Sequence, residues 1–176
     1  SSAAPVRGAI RRRGRSSRGL GRGMGEPALL AGLVDEMADR FGCDRGRVYV
    51  AGLSAGGAMA VTLGHAYPDV FRAVGVHSGL PHGCAHDVPT ALAAMRKGGA
   101  TSPNESASTA GAFVPTIVFH GDSDRTVNVR NAMQVVADAR RKSAHGAAGE
   151  DGPWVETVTK GRVAGGHDFT TTRARD

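Results

Sequence analysis

The chain has 176 residues, of which 40% are hydrophobic and 22% charged, with a net charge of +6. This length and apolar content suit one globular domain with a hydrophobic core. No apolar run approaches the length of a bilayer span, so no membrane-spanning segment and no membrane partner are expected, and the N-terminus lacks the continuous apolar segment of a signal peptide.

The positive charge is concentrated at the N-terminus. Seven arginines and no acidic residue occupy the first 22 positions, so subtracting seven from +6 leaves −1 for the rest. These are Arg7, Arg11, Arg12, Arg13, Arg15, Arg18 and Arg22. Residues 1–24 are predicted to be a disordered Arg/Gly/Ser-rich tail before a domain over 25–176. The tail either binds polyanions or is a solvated extension, and no specific nucleic-acid partner is expected.

Helical and strand-like patterns alternate after the tail. A helix is predicted from Pro27 to Gly42. Its apolar residues recur at helical spacing and are expected to pack on a sheet: Leu30, Leu33, Val34, Met37 and Phe41. Buried strands are predicted at 47–53, 71–78 and 115–121.

Further helices follow the strands, at 58–65, at 88–97 and after Asn128, which can cap the last of them. The inward face of that last helix is expected to hold Ala132, Val135, Val136 and Ala139. Segments 98–112 and 143–152 are typical of loops, and 154–173 is β-prone. The alternation indicates an α/β fold with a parallel sheet.

The run 48–57 predicts a buried strand that turns sharply into a helix through a G-x-S-x-G pattern centred on Ser54. That pattern at a strand-to-helix turn is a nucleophile elbow. Glycines are expected two residues on either side, at Gly52 and Gly56, because a side chain there would collide with the neighbouring strand or helix. The alternative is a glycine-rich turn with an incidental serine, since 26 glycines make the pattern prone to occur by chance.

A serine nucleophile needs a histidine base and a carboxylate that orients the histidine. In the α/β-hydrolase order the acid follows the serine, on a loop after a later strand, and the histidine comes last. Asp122 and Asp124 occupy such a loop. Asp122 follows the strand so closely that it is expected to cap or hydrogen-bond the turn, so Asp124 is the candidate acid. The alternative is that both are ordinary turn residues.

Chain order also distinguishes the seven histidines as candidates for the base. Five precede the acid and do not fit the base: His65, His77, His82, His86 and His120. His120 is expected to be a packed or hydrogen-bonded histidine at the end of a strand. His145 lies in a Gly/Ala-rich segment and is expected to be solvated. By spacing alone, His167 with its flanking glycines is the candidate base.

No cofactor and no metal are expected. The glycine-rich run 19–25 follows no strand, unlike a phosphate-binding loop. His82, Cys84 and His86 lack the ligand spacing of a zinc site. Cys43 and Cys84 fall at opposite ends of neighbouring parallel strands, too far apart for a disulfide.

Four segments, 25–32, 47–59, 79–85 and 120–128, together resemble the esterase family of poly(3-hydroxybutyrate) depolymerases, with its feruloyl and acetylxylan esterase relatives. The resemblance covers about residues 25–176. It implies an α/β-hydrolase fold, a three-layer sandwich around a parallel sheet, an extracellular location and hydrolysis of carboxylic esters in a polyester or acylated plant polymer. Ser54 and Asp124 match the family's nucleophile and acid. The backbone N–H of Ala55 matches one half of the oxyanion hole.

The resemblance also implies a domain truncated at both ends. Segment 165–176 resembles the first arm of a β-hairpin, and the family's histidine follows the second arm in a Gly-His-Ala-Trp motif, which disfavours His167 as the base. The second oxyanion donor and a partner for Cys84 would belong to missing early segments. The elbow strand would then be an apolar sheet edge, so the isolated chain is expected to be marginally stable or to self-associate.

Two functional hypotheses remain from the sequence. The first is a serine ester hydrolase impaired by truncation, in a form that uses His167 or in a form that lacks the base. The second is a non-catalytic, decayed hydrolase domain that acts as an interaction module through its basic tail.

Overall fold

The computed structural model describes residues 22–99, 114–146 and 155–175. Helices and strands alternate within them: α1 (Gly25–Phe41), a 3-10 turn (Arg45–Arg47), β1 (Tyr49–Leu53), α2 (Ala55–Ala66), β2 (Ala73–His77), α3 (Val88–Lys97), β3 (Thr116–Phe119), α4 (Arg130–Gly146), β4 (Val155–Arg162) and β5 (Asp168–Arg175). The predicted alternation is confirmed. No helix in the described part of the chain is long and apolar enough to cross a membrane.

The first three strands form a parallel sheet in the order β1–β2–β3. In its register Gly52 lies opposite Val76, which lies opposite Val118. The β-branched residues of these strands suit a buried parallel sheet. Strand β1 is an edge strand of the described sheet, as the sequence predicted.

Helices α2 and α4 cover one face of this sheet. Their buried residues Ala60 and Val135 pack with the strand residues Val74 and Val76, and the half-buried Val118 joins the same cluster. A second cluster, under α1 and α2, contains Ala31, Leu63, Tyr67 and Phe71. These two clusters form the core of the described residues, and burial of their apolar area is the main force that holds the helices on the sheet.

No described helix packs on the opposite face of the sheet. Tyr49 and Leu53 on β1 and Ile117 and Phe119 on β3 are each more than half exposed. They belong to the alternate set of strand positions, which points away from the helices. Residues 22–99 and 114–146 therefore supply two of the three expected layers.

Helix α1 is correctly predicted in its bounds but not in its buried face. Leu30 and Val34 pack into the second cluster, whereas Leu33, Met37 and Phe41 are exposed. The buried side of α1 is instead built from small residues, Ala31 and Ala38, with Pro27. Small side chains allow α1 to approach α2 closely, which the apolar pattern alone could not reveal.

Gly42 ends α1 in the left-handed conformation, with φ 65°, and its N–H donates to the carbonyl of Ala38. A Cβ at this position would meet no atom within 4 Å, so only backbone conformation opposes a side chain. We therefore expect Gly42→Ala to destabilise the fold by about 1 kcal/mol in urea unfolding. The matched control is Gly32→Ala in the middle of α1, where space is also open, and it should stabilise by about 0.5–1 kcal/mol.

Helix α4 differs from its prediction in two respects. Residues 143–146 continue the helix, so His145 lies in α4 rather than in a loop. Val136 is exposed, whereas Val135 is buried as predicted. The Asn128 side chain accepts from the N–H of Arg130, which confirms its role at the helix start.

Strands β4 and β5 form a separate antiparallel hairpin, paired from Val155↔Arg175 to Arg162↔Asp168. Strand β5 is the second arm of this hairpin, so the expectation that segment 165–176 is a first arm is wrong. The β-prone residues before Val163 already supply the first arm, and the tight turn with Gly165 at φ 68° reverses the chain.

Arg22, the last arginine of the basic N-terminal segment, contacts the folded domain. Its guanidinium forms a bidentate ion pair with Asp69, at 2.5 and 2.7 Å, and lies over the ring of Tyr67. The rest of the predicted tail, 1–21, and most of the predicted loops, at 100–112 and 147–152, lie outside the described residues.

Candidate active site

Ser54 lies on the turn that joins the edge strand β1 to helix α2. Its backbone has φ 56° and ψ −119°, a combination that side-chain-bearing residues rarely adopt. The Ser54 N–H donates to the carbonyl of His77 at 2.9 Å, and its own carbonyl accepts from Ala58 at 3.0 Å. These bonds hold the strained turn between β2 and the first turn of α2, and they leave the serine side chain exposed.

The glycines around Ser54 do not all serve the role that the pattern predicts. A Cβ at Gly52 would overlap the carbonyl of Gly56, so this glycine is required, as expected. At Gly56 a Cβ would meet nothing within 4 Å, so the expected collision there is wrong. The second crowded position is Gly57, whose Cβ would lie 3.1 Å from both the carbonyl of Gly52 and the Cα of Gly79.

Helix α2 begins at Ala55, directly after the serine. The first N–H groups of a helix have no partner inside it and carry the positive end of the helix dipole. Ala55 is exposed, next to Ser54. Its N–H is thus a candidate donor to an oxyanion formed at the serine, as the resemblance implies.

Asp124 follows β3 at the same, C-terminal edge of the sheet where β1 ends in Ser54. One oxygen of its carboxylate, Oδ1, accepts from the backbone N–H groups of Thr126 at 2.8 Å and Val127 at 2.9 Å. Asp122 is exposed and accepts only from the Ser123 hydroxyl among the described hydrogen bonds. The reason for preferring Asp124 is therefore corrected: Asp124, not Asp122, closes the turn.

The second carboxylate oxygen of Asp124, Oδ2, lies 3.6 Å from Nε2 of His120. The backbone donors of Val127 and Thr126 lower the pKa of Asp124 below its usual value, and the Ser78 hydroxyl and His120 add to this effect. Asp124 is consequently held as a carboxylate, the form that orients a histidine base.

His120 is packed, as predicted. Its side chain is only 3% exposed, and Nε2–H donates to the carbonyl of Val127 at 2.7 Å. This bond connects the end of β3 to the far side of the Asp124 turn. His120 is thereby engaged in shaping the loop of the candidate acid.

His167 lies in the turn of the β4–β5 hairpin and is exposed. Its carbonyl accepts from the N–H of Val163, which closes the turn. Among the described residues no hydrogen bond or ion pair joins the His167 side chain to Ser54 or Asp124. The structure thus brings the candidate nucleophile and acid to one sheet edge but does not bring His167 to them by any described contact.

Two of the remaining histidines form a polar cluster that sequence reasoning did not detect. The rings of His65 and His82 stack with their centroids 4.0 Å apart, and His82 Nδ1 lies 3.2 Å from the Thr62 hydroxyl. The ammonium group of Lys142 donates to Nδ1 of His65. Burial first, then neighbouring positive charge, lowers the pKa of His65 to about 3 and of His82 to about 4, and burial lowers the pKa of Lys142 to about 8.

No group of three or more metal-ligating side chains occurs in the part of the chain that the structure describes. Cys43 is exposed before β1, and Cys84 is half-buried beyond β2. No disulfide joins these two residues in the structure.

Among solved structures, an acetyl xylan esterase from Aspergillus awamori is similar to this chain with a TM-score of 0.56. The two are 24% identical, and the match covers 66% of this chain and 48% of that one. At this identity the likeness shows the fold alone. The three-stranded sheet and its helices are therefore part of an α/β-hydrolase fold, as predicted.

Two relatives are similar in sequence. Poly(3-hydroxyalkanoate) depolymerase C of Paucimonas lemoignei is 33% identical over 123 residues, which is 65% of this chain and 30% of the depolymerase. Feruloyl esterase B of Thermothelomyces thermophilus is 43% identical over 67 residues, 38% of this chain and 23% of the esterase. The matched region thus spans less than a third of each relative.

The family model described as Esterase PHB depolymerase matches residues 11–152. This range contains the strained serine turn, its crowded glycines and the loop that holds Asp124. Family match, fold and the four sequence motifs agree, and the chain belongs to the Esterase PHB depolymerase family.

Proposed function

We propose that this chain carries the nucleophile and the acid of a serine carboxylic-ester hydrolase. The observation that carries the proposal is the backbone of Ser54, held at φ 56° between β1 and α2 with its side chain exposed. A nucleophile elbow uses such a strained turn to present the serine hydroxyl to substrate. Asp124 on the same sheet edge and the family membership support the assignment.

In the proposed reaction the Ser54 hydroxyl attacks the ester carbonyl while a histidine takes its proton. The carboxylate of Asp124 orients that histidine, and the N–H of Ala55 donates to the oxyanion that forms. The intermediate then releases the alcohol, which receives the proton from the histidine. Water hydrolyses the acyl-enzyme and releases the carboxylic acid, which restores Ser54.

The exposed position of His167 in a separate hairpin favours the form of the proposal in which the base is not His167. A triad without its base commonly keeps about 10³–10⁴-fold catalysis over water, through the oxyanion donors and substrate binding. We therefore propose weak but measurable reactivity for Ser54 in this chain.

The proposed substrates are esters of a hydroxyalkanoate polyester or of an acylated polysaccharide, because the relatives are a poly(3-hydroxyalkanoate) depolymerase and a feruloyl esterase. An extracellular location is proposed on the same family grounds. We also retain as proposals the division into a tail over 1–24 and a domain over 25–176, and self-association through the edge strand β1.

Labelling with a fluorophosphonate probe, read by mass spectrometry, tests the nucleophile. Wild-type protein is expected to carry one adduct on Ser54, and Ser54→Ala is expected to carry none, because the turn presents the Ser54 hydroxyl beside the N–H of Ala55, which can donate to the phosphonyl oxygen. His167→Ala should label at the wild-type rate. An unlabelled wild type would contradict the hydrolase proposal and favour the interaction module, whereas loss of labelling in His167→Ala would assign the base to His167.

A further inference from the structure

A cavity of about 440 Å³ lies at the N-terminal edge of the parallel sheet, away from the edge that holds Ser54 and Asp124. Helix α1, the residue before β1 and the segment before β2 enclose it. Its volume is in the range of small-molecule binding sites. The proposed ester hydrolysis makes no use of this cavity.

The inner wall of the cavity is aliphatic. The buried Ala31 and the half-buried Ala28 and Val34 contribute to it from α1. The half-buried Val48 and Val70 line it from the side of the sheet. None of these side chains can form a hydrogen bond, so the part of a ligand that contacts this wall is a short hydrocarbon body.

The charged side chains that line the cavity are exposed and form its rim. They are three arginines and two aspartates, which leaves one positive charge in excess. Arg22 is paired with Asp69, and Arg45 is paired with Asp35. The guanidinium of Arg72, by contrast, takes part in no hydrogen bond or ion pair among the described residues. The excess charge of the rim is therefore carried by Arg72.

A buried hydroxyl adds a second donor. Tyr67 lines the cavity and is only 6% exposed. Its hydroxyl oxygen accepts from the N–H of Gly23 at 2.8 Å, but its hydroxyl hydrogen has no acceptor among the described hydrogen bonds. A buried polar hydrogen without a partner costs free energy. A ligand atom that accepts from Tyr67 would remove this cost.

We propose that this cavity binds a short-chain aliphatic carboxylate. Its carboxylate group accepts from the Arg72 guanidinium and the Tyr67 hydroxyl, and its hydrocarbon chain packs on the aliphatic wall. A guanidinium binds a carboxylate through two parallel N–H groups, and one excess positive charge matches a monoanion better than a phosphate dianion. The arginine-rich segment before Arg22 has the same sign of charge as the rim, which disfavours it as an occupant. An acid released by the proposed hydrolysis belongs to this class of ligand, but the site does not depend on that activity.

Isothermal titration calorimetry of the whole chain with butyrate tests the site. Arg72→Gln is expected to weaken butyrate binding by about tenfold or more, because charge-assisted hydrogen bonds are lost. Arg47→Gln is the matched control, since Arg47 is also exposed but pairs with Asp44 and does not line the cavity. It should keep the wild-type affinity. Absence of butyrate binding in the wild type, or equal weakening by the two substitutions, would overturn the inference.

Two further probes test the chemical class of the ligand. 1-Butanol carries the chain without the charge, and inorganic phosphate carries charge without the chain. Each is expected to bind about tenfold or more weakly than butyrate, because each makes only one of the two kinds of contact. Equal binding of either probe would contradict the assignment of a short-chain carboxylate.

Gly32→Leu tests the position of the site without changing its charge. Gly32 lines the cavity, and a Cβ there would meet no atom within 4 Å, so a leucine has room beside the cavity and suits the middle of α1. We expect this variant to keep the helix content of the wild type by circular dichroism and to lose butyrate binding. Wild-type affinity in folded Gly32→Leu would show that butyrate binds elsewhere and would overturn the inference.

Discussion

Gly52→Ala is expected to prevent the chain from reaching its native state under conditions in which the wild type is folded. A Cβ at residue 52 would overlap the carbonyl group of Gly56, which is backbone at the start of α2 and cannot rotate away. Relief requires α2 to move off β1, and that movement opens the core around Ala60 and Val76. We expect a loss of about 3 kcal/mol or more in the free energy of unfolding, the range of severe overpacking.

The neighbouring glycine of the same pattern provides the control. At Gly56 a Cβ would meet no atom within 4 Å, and the residue lies in the first turn of α2. Gly56→Ala is therefore expected to leave stability unchanged or to raise it by up to about 1 kcal/mol. Urea unfolding followed by circular dichroism measures both variants. Equal destabilisation by the two substitutions would contradict the role assigned to Gly52.

Lowering the pH from 7.5 to 5 is expected to destabilise the fold through the stacked pair His65 and His82. Burial holds the pKa of His65 near 3 and of His82 near 4, below the value of about 6.5 for a free histidine. As the pH falls through 6.5 the unfolded chain takes up protons that the folded chain does not. The stability contributed by the neutral rings is therefore complete above pH 6.5 and is lost progressively toward pH 4 and 3.

The loss of stability at a given pH depends on how far that pH lies below the pKa of histidine in the unfolded chain. At pH 5 each histidine costs about 2 kcal/mol, from 1.5 pH units at 1.36 kcal/mol each. Lys142 faces His65, and His86 adds positive charge beside His82, so both neighbours also oppose protonation of the rings. Carboxylates with lowered pKa, such as Asp124, titrate below this window and do not mask the effect.

Urea unfolding at pH 5, 6 and 7.5 measures this dependence. In His65→Gln the loss between pH 7.5 and 5 should shrink by about half, because one of the two depressed groups is removed. His77→Gln, at an exposed histidine on β2, should retain the full wild-type loss. The explanation fails if His65→Gln loses as much stability as the wild type over the same range.

Local sequence features predicted the parts of the site that depend on chain order. The apolar, β-branched run before Ser54 and the small residues after it are sufficient to specify a strand, a turn and a helix. The second such run, before Asp124, places this candidate acid after β3. Because parallel strands end at one edge of the sheet, these two facts already bring Ser54 and Asp124 to the same side of the molecule.

Other features depended on which elements lie against each other. After Ser54, the position at which a side chain would be too close to its neighbours is Gly57 rather than Gly56, because Gly79 on the loop after β2 packs against Gly57. Leu33 and Phe41 follow the helical apolar period yet are exposed, since the small residues of α1 face α2. A periodic pattern identifies a helix but does not specify the partner that its faces meet.

The sequence by itself thus determined the succession of elements, the serine turn and the chain order of the candidate nucleophile and candidate acid, because hydrophobic period and turn chemistry are local properties of the chain. Only the tertiary structure decided that Asp124 rather than Asp122 closes its turn and that His65 stacks on His82. Each of these is a contact between residues whose separation in space depends on how strands and helices pack. No local pattern encodes that separation, since it is the packed core that sets the distance.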